Sequence, residues 1–146
     1  MINGRRLSFR RIDTLVLLLY SGLIFYLSSR TQPVPFLAPF AIFPHADKVF
    51  HATEYALLAS LWLGALRRAG VGGPEAAAPS ITFAICVLYA LSDEFFQGFI
   101  PGRSSSAGDL LADGTGAALA IGIWQGLRAR RLSPAKEGNL FRRGRL

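Results

Sequence analysis

The residues able to do chemistry are bunched in this chain. Asp93, Glu94, Gln97, Arg103, Ser106 and Asp109 fall within one stretch, Ser92 to Asp109, which also holds Ser104 and Ser105. Upstream, Asp47, His51, Glu54 and Tyr55 recur at three- and four-residue intervals, with Lys48 beside them. On a helix that spacing puts them on one face. Downstream, Asp113 follows Asp109 by four residues, about 6 Å along a helix axis. A histidine among carboxylates has the parts for acid–base work or for a divalent metal. His51, Glu54, Asp93, Glu94 and Asp109 are therefore the catalytic candidates. The binding candidates are Asp47, Lys48, His51, Tyr55, Asp93, Glu94, Gln97, Arg103, Ser106, Asp109 and Asp113. Arg103 follows Pro101-Gly102, and its planar fork suits a phosphate or a carboxylate. No defined metal-ligand set is assigned, and no cofactor.

These groups must be held by elements of another character. The chain has 146 residues, 51% hydrophobic and only 17% charged, against roughly 25% charged in soluble domains. Its apolar runs are long enough to cross a bilayer. The reading is an all-α, multi-pass membrane bundle of four helices, spanning about 12–29, 49–66, 80–98 and 107–127. The basic residues 1–11 precede it and a basic tail, 128–146, follows. Ser80–Leu91 is too short to cross alone, so its helix must continue through Asp93-Glu94 to about Gly98. Ser104–Ser106 offers the N-cap of the fourth helix. Gly108, Gly114, Gly116 and Gly122 give that helix a small side suited to close contact.

The charge distribution sets an orientation. The net charge is +7, and all basic residues except Arg30, Lys48 and Arg103 fall before the first span, after the second or after the fourth. This positive-inside pattern puts both termini in the cytoplasm and the polar groups outside. It also argues for a bilayer partner with anionic lipid and against nucleic acid. Arg5-Arg6 resembles a signal-peptide start, but the following run is long for a signal core and lacks a clean cleavage site, so it reads as an uncleaved span. Asp13, among arginines, reads as a solvated or head-group partner. The proline-rich segment Arg30–Ala46 cannot be a regular helix; it is either a connector or a lid. Cys86 lies inside an apolar run and reads as packing.

Three readings of the polar groups compete. They form ion pairs that fasten the helix ends together, or a binding or catalytic pocket, or a proton or ion path. A charge at mid-span costs about 2.5–3.5 kcal/mol, so acids at depth need partners, water or a metal. The absence of inverted repeats argues against an autonomous transporter.

The run Asp47-Lys48-x-x-His51-x-x-x-Tyr55, then Ser92-Asp93-Glu94-x-x-Gln97-x-Phe99-x-Pro101-Gly102-Arg103-x-x-Ser106-x-x-Asp109, then Asp113-x-x-Gly116, resembles the VanZ-like family from about Leu15 to Trp124. Asp113 departs from it, since relatives often carry Asn there; Ala52 is small where many have Phe or an aliphatic residue. The resemblance implies a small polytopic protein of the cell envelope, in a family named for a component associated with teicoplanin resistance. The family supplies that context without a reaction; the clustered polar groups and Arg103 point to recognition of an anionic envelope component, a lipid head group or a lipid-linked precursor, in an outward pocket of the cytoplasmic membrane. The alternatives are an enzyme acting on such a lipid and a non-catalytic scaffold.

Overall fold

The computed structural model describes residues 9–31, 44–71 and 77–132. Four helices account for most of them: α1 (Arg11–Ser28), α2 (Ala46–Arg68), α3 (Ala77–Gln97) and α4 (Ala107–Leu132). There is no strand among the described residues. By length and composition α1, α2 and α3 can each cross a membrane. The lid or connector segment lies largely outside the described residues, as does the tail beyond Leu132.

The helix ends follow local chemistry. α2 stops in a Schellman turn: Val71 N–H reaches Leu66 O at 2.9 Å and Gly70 N–H reaches Arg67 O at 3.1 Å. Gly70 takes the left-handed φ of 77° that this turn needs. α3 begins three residues before the expected Ser80. Pro79 falls in its first turn, where no intrahelical N–H bond is lost. α4 runs past the expected end at Leu127, so Arg128, Arg130 and Arg131 extend the helix and complement the negative end of its dipole.

α2 is the hub. It packs on α1, α3 and α4, most broadly on α4. Its Tyr55, Leu58, Ala59, Leu63 and Leu66 are buried, with Ile24 of α1, Cys86 and Ala90 of α3, and Ala117 of α4 around them. The closest approach is between α2 and α4, where Gly116 lies against the Ala52 backbone. Leu18 and Leu19, Leu88, Phe95, Leu119 and Ile123 point outward and stay exposed. That is the surface expected of a bundle solvated by lipid.

Asp13 is not solvated, contrary to the sequence reading. It is buried and accepts from Arg68 Nη2 at 2.7 Å and Nε at 3.1 Å. The start of α1 thereby meets the end of α2, and this end of the bundle is the basic one. The two helices run antiparallel, which brings an acid from one chain terminus to the arginine of a distant turn. The polar cluster occupies the opposite end.

Candidate functional site at the acidic end of the bundle

The sequence around Pro101 builds a turn that returns the chain from α3 into α4. Gly102 has φ of 80° and Arg103 N–H donates to Ile100 O at 3.0 Å. Pro followed by a left-handed Gly is the pattern of a type II turn. The chain then enters α4 through Ser106, whose Oγ accepts from Asp109 N–H at 3.3 Å. That is an N-cap contact. Ser106 N–H in turn donates to Glu94 Oε2 at 2.6 Å. A carboxylate from the last turns of α3 thus sits on the positive end of α4.

Three connected groups follow. On the α3 side, Asp93 Oδ2 accepts from Ser28 Oγ of α1 and from Gln97 Nε2 at 3.2 Å. On the α4 side, Lys48 Nζ bonds Asp109 and also contacts Asp47 at 2.9 Å. Its stem crosses Gly108, where a Cβ would meet Lys48 Cε at 3.2 Å. Between them, His51 Nδ1 lies 3.0 Å from Asp113 Oδ1, and its Nε2 lies 3.9 Å from Asp109 Oδ1. Glu54 is half-buried within electrostatic reach of His51, Asp113, Asp93 and Arg103, and accepts no hydrogen bond through its carboxylate among the described residues.

Every binding candidate from the sequence lies at this end, but not in equal roles. Asp47 is on the rim, with 61% of its side chain exposed, and contributes by holding Lys48. Arg103 caps a helix: its Nε donates to Ser28 O at 3.1 Å and its Nη2 lies 3.5 Å from Leu27 O. Those carbonyls belong to the last turn of α1, where the Leu27 carbonyl also accepts from Arg30 N–H at 3.2 Å. Ser28 is the residue the sequence reading missed. A single hydroxyl closing an apolar run carries no signal of its own, and only the packing of α1 on α3 gives it Asp93. Tyr20, which donates to the Glu54 carbonyl at 3.1 Å, was missed for the same reason.

Four buried polar atoms here have no hydrogen-bond partner among the described residues: Tyr55 Oη, Asp93 Oδ1, Glu94 Oε1 and Asp113 Oδ2. They come from α2, α3 and α4, and the charges of Asp113 and Asp93 act on the Tyr55 hydroxyl. Leaving such an atom unpaired costs about 1–3 kcal/mol. Among the described residues, no three His, Cys, Asp or Glu side chains are placed to hold a metal ion together.

No curated protein and no solved structure matches the chain. The family model for VanZ/LLP1 matches residues 8–128, most of the chain and all of the cluster. The chain therefore belongs to the VanZ/LLP1 family.

Proposed function

We propose that the acidic end of the bundle recognises the head group of an anionic envelope component, such as a phospholipid or a lipid-linked cell-wall precursor. The four unpartnered buried atoms carry this reading. Ion pairs that only fastened helices would satisfy their own donors and acceptors. Acceptors turned inward suit a ligand that brings hydroxyl, amine or amide donors. Arg103 and Lys48, both half-buried at the rim, suit its anionic group. The reading extends to envelope homeostasis and tolerance of teicoplanin, the setting that the family resemblance implies. Arg103→Ala should abolish the protection the protein gives cells against envelope stress while its membrane level stays unchanged. Full protection by that variant would remove Arg103 from the site.

In this reading α4 is a fourth span and the cluster faces outward in the cytoplasmic membrane. The 26 residues of α4 reach about 39 Å, and the basic residues gather at the other end of the bundle. A cysteine at the exposed Ser105 should react with an impermeant maleimide from outside intact cells, and one at the exposed Arg130 should not. Cys86 is buried and gives little background. The reverse labelling would put the cluster on the cytoplasmic side.

A second reading, an enzyme acting on the same lipid, is favoured by the position of His51. Its ring lies between Asp113 and Asp109, an arrangement in which one carboxylate orients a base. A divalent metal belongs to this reading as an additional proposal, and metal content of the purified protein tests it.

A further inference from the structure

The cations at the polar end are already spoken for. Lys48 is held by Asp109 and Asp47, and His51 by Asp113. Arg103 donates to the carbonyls at the end of α1. Glu54, Asp93 and Glu94 are left without an ion pair among the described residues. Asp93 and Glu94 are 4% and 5% exposed. A carboxylate buried without a cation is costly.

The atoms without a hydrogen-bond partner favour one kind of cation. Asp93 Oδ1, Asp113 Oδ2 and Tyr55 Oη come from three helices, and all three side chains are more than nine-tenths buried. Tyr55 is an observation independent of the acids, and the charges of Asp113 and Asp93 act on its hydroxyl. Glu54 precedes Tyr55 in the chain, is half-buried, and lies within electrostatic reach of the same two acids and of Arg103. Among the described residues the acids are not placed to share a metal ion, whose bonds to oxygen are about 2.0–2.6 Å. The hydrogen bonds of an ammonium are longer, about 2.7–2.9 Å. A primary ammonium has three donors and no acceptor, a match for three acceptors that lack donors. A hydroxyl would set its own lone pairs against the acids, and a quaternary ammonium has no N–H to give.

We infer that the ligand of this site carries a primary ammonium, seated among Glu54, Asp93, Asp113 and Tyr55 beside a phosphate held by Arg103. This ligand class rests on the head-group reading above and narrows it to amine-bearing lipids. Such an ammonium has two sources in an envelope, an aminophospholipid and the peptide of a lipid-linked precursor.

Purified full-length protein in a neutral detergent would be titrated with short-chain phosphatidylethanolamine, phosphatidylglycerol or phosphatidylcholine while the rise in its unfolding midpoint is followed. Phosphatidylethanolamine should act at a concentration on the order of tenfold lower than the other two, through charge-assisted hydrogen bonds that they cannot make. A lipid-linked precursor with a free peptide amine should differ from its N-acetylated form in the same way if the precursor is the source, and a preference confined to that pair would assign it. Glu54→Gln, an isosteric change at a half-buried position, and Asp93→Asn should each bring the paired curves together. A preference that survives in both variants would place the ammonium elsewhere and overturn the inference. Equal responses within both comparisons, abolished by Arg103→Ala, would overturn the ammonium and keep the head-group reading. No response to any of these lipids would overturn both.

Discussion

Gly116→Ala should leave little folded protein. A Cβ built at Gly116 falls within 2.8 Å of the Ala52 Cα and within 2.6 Å of its carbonyl carbon. Those are backbone atoms of α2, so no side chain can turn aside to make room. The two helices must separate along the broadest interface of the bundle. Overpacking of this kind costs about 3 kcal/mol, a large share of the 5–15 kcal/mol that usually holds a domain. Separation would also pull His51 from Asp113 and Lys48 from Asp109, since both pairs bridge the same helices. Gly122→Ala is the control on the same helix: its Cβ meets nothing within 4 Å, and alanine should raise helix stability by roughly 0.5–1 kcal/mol. Thermal unfolding of the purified variants followed by size exclusion would show the contrast. Gly116→Ala with wild-type stability would mean that α2 and α4 do not meet there. The same contact gives Ala52 a role. It lies at the crossing, where a helix backbone is approached by another backbone.

His51→Ala should destabilise the protein by about 3–5 kcal/mol, the usual result of removing one partner of a buried ion pair. Asp113 is 1% exposed. Its Oδ1 meets His51 and its Oδ2 has no partner, so the variant strands a whole carboxylate in the bundle. Asp113→Asn on top of His51→Ala should recover most of the loss, because the amide carries no charge to desolvate. A double-mutant cycle by thermal unfolding would give the coupling. Equal loss in the single and double variants would show that the histidine acts by packing alone.

Much of the architecture was legible in the sequence because two strong signals agree. Apolar runs long enough to cross a bilayer gave four helices, and the spacing of Asp47, His51, Glu54 and Tyr55 gave the polar face of α2. The ends were harder. α4 continues through Arg128–Arg131 because basic residues at a helix C-terminus complement its dipole, whereas composition alone reads them as tail. Partners were harder still. Asp13 and Arg68 are 55 positions apart, and the meeting of two helix ends decides their pairing. Arg103 looks free in the sequence, a fork after a turn, but the end of α1 presents the Leu27 and Ser28 carbonyls within its reach. Residue type told which groups would gather at one end. It could not tell which would be satisfied by each other and which would be left over.

Those leftover atoms are the basis of the ligand reading, and Tyr55 isolates one of them. Its ring is fully buried and packs 6.3 Å from that of Tyr89; its hydroxyl has no hydrogen-bond partner among the described residues. Tyr55→Phe keeps the ring and deletes the hydroxyl. The decisive measurement is the thermal unfolding midpoint of wild type and Tyr55→Phe, each with and without a lipid-linked cell-wall precursor. Removing an unpaired buried hydroxyl should leave the unliganded protein as stable or raise it by about 1–2 kcal/mol. The precursor should stabilise the wild type by mass action and the variant much less. A midpoint that drops in the unliganded variant, with the same precursor response in both proteins, would make the hydroxyl part of the scaffold and contradict a ligand site at this end of the bundle.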